Sequence, residues 1–307
     1  YKGMLMAHEV GEFFPDLVDE AAISAIALVH QRFSTNTFPA WELAHPYRMI
    51  AHNGEINTVR GNINWIKARA GKMESMLLGE DLEKLWPLID ETQSDSASFD
   101  NCLELLVAGG YSLPHAMMML VPEAWSDNPL MNDDRKAFYE YHATKMEPWD
   151  GPAAIAATDN EWIIAANDRN GLRPLRYAIT KDKLLFAGSE TGMIELNEKK
   201  ILSKGRLGPG EIIGLRIEKG KVFFNDDIKD YLAKEFKHFN SQIVDLDEKL
   251  LISSEKNNFE GEDLRRRQHT FGISLEDLEL ILHPMAEDAK EAIGSMGDDT
   301  PLAVLSD

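Results

Sequence analysis

From Pro152 to Phe224 the chain repeats one pattern: a short run rich in Ala, Ile, Leu and Tyr, then a pair of turn formers. Asp159-Asn160, Asn170-Gly171, Lys181-Asp182 and Lys219-Gly220 are those pairs. Runs of this kind joined by residues that accept turn backbone are antiparallel hairpins. Parallel strands would need crossovers of about a dozen residues or more, usually helical. The second half of the chain is therefore limited to a meandering antiparallel sheet.

The first half alternates. "AAISAIALVHQRF" is dense in small and β-branched residues and predicts a buried strand, and "PYRMIAHNGEI" a second strand with a turn. "NTVRGNINWIKARAGKM" shifts to helical spacing, with Ile63, Ile66 and Ala70 on one side. "SDSASFDNCLELLVAGG" is a clearer helix: Phe99, Cys102, Leu103 and Leu106 share a face, and Gly109-Gly110 ends it. "DDRKAFYEYHATKM" predicts another, closed by Pro148. Strands, helices and strands again give an α+β class rather than βαβ units. From about Ile228 the texture turns polar, as in a linker or covering segment, until Ser274 and Asp277 form a capping box ahead of a further helix. "GDDTPLAVLSD" reads as a strand cut short.

With 307 residues and a net charge of −20, the chain repels DNA, RNA and anionic lipid. Arg265-Arg266-Arg267 sits among acids and reads as solvated surface. No apolar run approaches the roughly 18 residues of a membrane span, and no targeting signal is visible. The single cysteine, Cys102, allows no disulfide within the chain and no CxxC metal site, which fits a reducing compartment. It falls on the apolar face of its helix, where a thiol is inert. "GRLGPGE" (205–211) lacks the Lys-Ser/Thr of a phosphate loop and reads as a turn before a strand. His30, within an apolar run, reads as a hydrogen-bonded core residue.

The remaining polar residues stand at element ends. Arg32 follows the first predicted strand, where its guanidinium can fork onto a carboxylate or join a surface ion pair. Asn53-Gly54 is either a hairpin turn or an amide and a backbone N–H that stabilise an oxyanion. Asp95 stands at a helix start, as an N-cap or as the partner of an ammonium. Together the three would hold an α-amino acid by both ends while polarising a side-chain carbonyl.

At these residues the chain resembles a known family. "HQRFSTNTFPAW", "HNGEINTVRGN" and "SDSASFDN", with "DRNGLRPLRY" further on, are similar to the glutamine amidotransferase domain of glutamate synthase. "SMGDDTPLAVLSD" resembles the start of that enzyme's central domain. The resemblance implies an N-terminal nucleophile hydrolase, an αββα four-layer sandwich over 1–227, present incompletely. A linker or covering segment (228–270) and the start of an α/β central domain (271–307) would follow. It implies that Arg32 binds the glutamine α-carboxylate, that Asp95 binds its α-ammonium, that Asn53 and Gly54 form the oxyanion hole, and that Thr35 lines the pocket. L-glutamine would be hydrolysed through a glutamyl thioester and the ammonia passed to 2-oxoglutarate. FMN and an iron–sulfur cluster belong to downstream domains of the family; no cofactor or metal is expected in this segment. Partners would be the remaining synthase domains and a small subunit or ferredoxin, with no nucleic acid and no membrane. The compartment would be the cytoplasm, or a plastid in a plant or algal parent.

One position departs from the pattern. The family's nucleophile is an N-terminal cysteine whose own α-amine is the base; Tyr1 is not a cysteine, and Cys102 is not at that place. The chain therefore reads as a fragment that is inactive alone. The rival readings are a non-catalytic structural piece and a different type 2 amidotransferase, such as a phosphoribosyl-pyrophosphate or glucosamine-phosphate enzyme.

Overall fold

The computed structural model describes residues 1–32, 38, 40–126, 128–190 and 192–232. A one-turn helix α1 (Val10–Phe13) precedes strand β1 (Ile50–Gly54) and four longer helices: α2 (Val59–Arg69), α3 (Asp95–Ala108), α4 (Leu113–Leu120) and α5 (Asp133–Ala143). Strands β2 (Ala153–Thr158), β3 (Trp162–Asn167), β4 (Arg176–Thr180), β5 (Leu185–Gly188), β6 (Ile201–Arg206), β7 (Ile212–Arg216) and β8 (Lys221–Phe223) follow. Residues 225–232 are helical.

The strands form two antiparallel sheets, a five-stranded one in the order β1-β2-β3-β7-β8 and a three-stranded one in the order β5-β4-β6. Three of the expected turn pairs take positive φ at their second residue, Asn160, Gly171 and Gly220, and at the fourth it falls on Lys183, one residue beyond Lys181-Asp182. Side chains alternate along β2 and β3. Ala153, Ile155, Ala157, Trp162, Ile164 and Ala166 face the helices, whereas Ala154 and Ala165 face the other sheet with Leu175, Leu207 and Ile213. The result is a helix–sheet–sheet sandwich of the α+β class. On the three-stranded sheet Leu202 of β6 is exposed.

Helix α3 is central. Phe99, Cys102 and Leu103 are wholly buried, as their spacing predicts; each large apolar side chain taken from water contributes about 1.5–3 kcal/mol. Its C-terminus closes with paired bonds, Tyr111 N–H to the Leu106 carbonyl and Gly110 N–H to that of Val107, with Gly110 at φ 108°.

Three expectations change. Over its described residues, 21–32, "AAISAIALVHQRF" forms no strand: Ile23 and Val29 are 91% and 76% exposed. Apolar, β-branched content makes a strand only when a ladder receives it, and the described backbone of this run bonds locally instead. His30 is accordingly half-buried, with its Nδ1 bonded to the main chain of Arg32. Second, Asn53-Gly54 is no two-residue hairpin, since it ends β1 and only Gly54 takes positive φ. Third, residues 228–232, the start of the expected linker, are helical and packed in the core. Ile228 and Leu232 are buried one turn apart, and Lys229 (1% exposed) pairs with Glu123 at 2.8 Å and donates to the Gly210 carbonyl at 3.2 Å. The rest of the 228–270 segment, the Ser274–Asp277 helix and the 271–307 domain lie outside the described residues. Helix α4, "LPHAMMML", is a further finding. It is apolar on nearly every side and buried, so it carries no periodicity to read.

Candidate active site

Side chains from the first half of α3 staple β1 along its whole length. Asp100, 3% exposed, accepts the main-chain N–H groups of Met49 and Ile50 at 2.9 Å and of Arg48 at 3.2 Å. One turn earlier on the same helix face, Ser96 Oγ meets His52 Nδ1 at 2.7 Å. At the tip, Asp95 Oδ2 accepts the Ile56 N–H at 2.7 Å. Asp95 is not the N-cap. That is Ser94, whose Oγ accepts from Ala97 N–H at 3.1 Å and meets Tyr47 OH at 2.8 Å. Asp95 is thus the first helical residue, its carboxylate turned toward the backbone that follows Gly54.

Beyond β1 the segment that follows it and the segment that leads into β2 keep running side by side. Glu55 N–H donates to the Pro152 carbonyl and Asn57 N–H to that of Asp150, both at 2.8 Å. Gly54 and Gly151, each at φ 148°, make this possible. A Cβ on Gly54 would lie 1.8 Å from the Pro152 oxygen, and one on Gly151 would lie 2.1 Å from the Glu55 oxygen.

Asn53 is half-buried and reaches the other sheet, its Nδ2 donating to Ser189 Oγ at 3.0 Å. Arg32 is exposed. It stands two residues beyond His30, whose ring stacks on His45 at 4.4 Å, and His45 Nδ1 accepts the His52 N–H at 3.4 Å. Among the described residues no hydrogen bond or ion pair joins the Arg32 side chain to Asn53, Gly54 or Asp95. The structure thus brings Asn53, Gly54 and Asp95 to one place and leaves Arg32 exposed, bonded through its main chain to His30. Thr35 lies outside the described residues.

Burial holds the neighbouring imidazoles neutral. It pushes His52 down to about 4 against the opposing pull of the Asp95 charge, and His45 down to about 3. "DRNGLRPLRY" folds over the same end of the sheet around buried Asp168, whose carboxylate accepts from the N–H groups of Ala153, Asn170, Leu172 and Arg173. Sequence reasoning missed Ser96 and Ser189, because their partners His52 and Asn53 come from distant parts of the chain.

Cys102 is wholly buried, and desolvation pushes its thiol up to about 12. A thiol reagent at pH 8 should therefore leave it unmodified until the protein is unfolded with denaturant. Labelling of the native protein would contradict that burial. Among the described residues no group of His, Cys, Asp and Glu is arranged to hold a metal ion, and no helix is long and apolar enough to cross a membrane.

A family model described as "Glutamine amidotransferases class-II" matches residues 1–240. The chain belongs to the class-II glutamine amidotransferases. A second, "Glutamate synthase central domain", matches residues 266–307, which separates this amidotransferase from phosphoribosyl-pyrophosphate and glucosamine-phosphate enzymes. Over its whole length the chain is 50% identical to the glutamate synthase [NADPH] large chain of Azospirillum brasilense, 47% to that of Bacillus subtilis (strain 168), and 42% to ferredoxin-dependent glutamate synthase 2 of Synechocystis sp.. It spans 21%, 20% and 20% of those proteins, about a fifth of each. Among solved structures, a glutamine phosphoribosylpyrophosphate amidotransferase from B. subtilis overlaps 57% of the chain and 28% of its own, with TM-score 0.32 and 20% identity.

Proposed function

We propose that this amidotransferase chain is the glutamine-holding part of a glutamate synthase. It binds L-glutamine and stabilises the oxyanion formed when the side-chain amide is attacked. The observation that carries this reading is the Asp95–Ile56 bond. It sets a carboxylate beside the strand end bearing Asn53 and Gly54, so that one amino acid can meet an anion at its α-ammonium and donors at its side-chain carbonyl. Asp95 takes the α-ammonium, Arg32 the α-carboxylate, and Thr35 a wall of the pocket.

A cysteine thiolate outside these 307 residues, with its own α-amine as base, adds to the glutamine δ-carbon. The carbonyl π pair moves to oxygen, where the Asn53 amide N–H and the Gly54 N–H donate to the negative charge. As the carbonyl re-forms, the C–N bond breaks and ammonia leaves with the proton held by the amine. Water then cleaves the thioester, giving glutamate and free thiol. Cys102 takes no part. The ammonia passes to 2-oxoglutarate elsewhere in the protein. With one cysteine the chain has no ligand set for an iron–sulfur cluster, which needs several thiolates. FMN and the cluster belong to other domains, and the electron donor to those domains, a small subunit or ferredoxin. A reducing aqueous compartment, cytoplasm or plastid, suits a chain with a single free thiol.

The test uses a full-length glutamate synthase carrying this segment. Arg32→Ala should raise KM for glutamine about 10-fold or more, the loss of one charged hydrogen-bonding pair. Glutamate formation from supplied ammonia should be unchanged. Equal loss of both activities, or an unchanged KM, would remove Arg32 from the site.

A further inference from the structure

We propose that Ser189 is a positioning residue for the oxyanion hole, holding the Asn53 carboxamide from the opposite sheet. The inference rests on the glutaminase reading above. Asn53 is the penultimate residue of β1 in the five-stranded sheet. Ser189 is the first residue after β5 in the three-stranded one, and Gly188 before it still pairs with Arg176 of β4. The hydroxyl therefore stands one step from a fixed ladder, and β5 itself packs against β2, the neighbour of β1. The 3.0 Å contact from Nδ2 to Ser189 Oγ is the only hydrogen bond of the Asn53 side chain among the described residues.

A carboxamide carries two N–H donors on one nitrogen. Ser189 takes one and leaves the other for the charge that develops on the substrate oxygen. The last torsion of an asparagine is broad and roughly two-fold, so without a partner the amide swings and presents oxygen as readily as nitrogen. A donor that must turn as charge appears gives up part of the stabilisation that a pre-aimed donor supplies. Ser189 itself touches no reacting atom. Its effect is to narrow the range of Asn53 and to tie that range to the spacing of the two sheets.

The experiment is glutaminase kinetics on a full-length glutamate synthase carrying this segment, with ammonia-dependent glutamate formation as the control for folding. Ser189→Ala should lower kcat about 2- to 10-fold, the span of one net hydrogen bond. KM for glutamine should move less than about 2-fold, because the aimed N–H matters only once the oxyanion forms. Ser189→Thr, which keeps the hydroxyl, should recover most of the rate. In an Asn53→Ala background Ser189→Ala should add nothing, since there is no amide left to aim. An unchanged kcat in Ser189→Ala, or the same loss with and without Asn53, would overturn the inference. If Asn53→Ala lowers kcat as expected while Ser189→Ala is silent, only Ser189 is excluded. If Asn53→Ala itself leaves kcat unchanged, the oxyanion reading fails and this inference falls with it.

Discussion

Asn53→Asp, in a full-length glutamate synthase carrying this segment, is expected to lower glutamine-dependent kcat by about 100- to 1000-fold with little change in KM. That is the usual loss when one donor to an oxyanion is removed. The substitution is close to isosteric, and Asn53 has an ordinary strand backbone, so β1 tolerates it. It replaces a donor by an anion at the point where negative charge must develop. Asp95→Asn should fail differently, with KM rising about 10- to 150-fold as a charged contact to the α-ammonium is lost in ground and transition state alike. The amide oxygen at position 95 can still accept the Ile56 N–H, so the joint between α3 and β1 survives. Ammonia-dependent glutamate formation should stay at its original rate in both variants. An Asn53→Asp effect confined to KM, or an Asp95→Asn enzyme with unaltered KM, would show the roles to be wrongly assigned.

The second large effect is acid sensitivity. Burial pushes His52 and His115 down to about 4 and His45 and His142 down to about 3. His115 and His142 also face each other Nε2 to Nε2 at 2.8 Å, a contact in which one ring donates and the other accepts; a second proton between them would put two donors head to head. In the unfolded chain these rings titrate near 6.5, so between pH 6.5 and about 4 the unfolded state holds more protons than the folded one. Stability is then fully present above pH 6.5 and falls as the pH drops through that window. For His52 alone, a displacement from 6.5 to about 4 corresponds to about 3 kcal/mol. The rings lower one another as well as being lowered by burial, so their contributions overlap rather than add, but all have the same sign. Asp100, raised by burial, works in the opposite direction once the pH nears the carboxylate range. The urea midpoint should fall steeply from pH 7 to pH 5, and His142→Gln should flatten the slope. A midpoint independent of pH over that range would contradict buried, neutral rings.

The legible parts of this fold are those set by local chemistry. Phe99, Cys102, Leu103 and Leu106 fix both the type and the buried face of α3, and Asn160, Gly171 and Gly220 mark turns because few other residues accept those dihedrals. The illegible parts depend on a distant partner. The run at 21–33 has the composition of a strand, but composition does not supply a ladder. Asn53-Gly54 satisfies a hairpin and a strand end equally well, and the approach of Pro152 from the far side decides between them. Asp95 at a helix start suggests a cap. Only Ile56, 39 residues away, shows where its carboxylate points. Of the two readings of the segment from Ile228, linker or cover, its first residues take the second, and two apolar residues a turn apart among many polar ones give a weak signal until Gly214 and Trp162 provide a surface to cover.

The crossing at Gly54 and Gly151 bears on how such a site can vary. Each glycine leaves room for a main-chain carbonyl of the opposing segment, Pro152 against Gly54 and Glu55 against Gly151: enlarging either glycine pushes that segment away, and no compensating substitution can restore the lost room, because the atom in the way is backbone that every residue carries. In a saturation library selected for growth without added glutamate, both positions should therefore stay fixed even where their neighbours drift. They would resist second-site suppression as well, and Gly151, which has no part in the proposed chemistry, would be held as firmly as Gly54, whose N–H does.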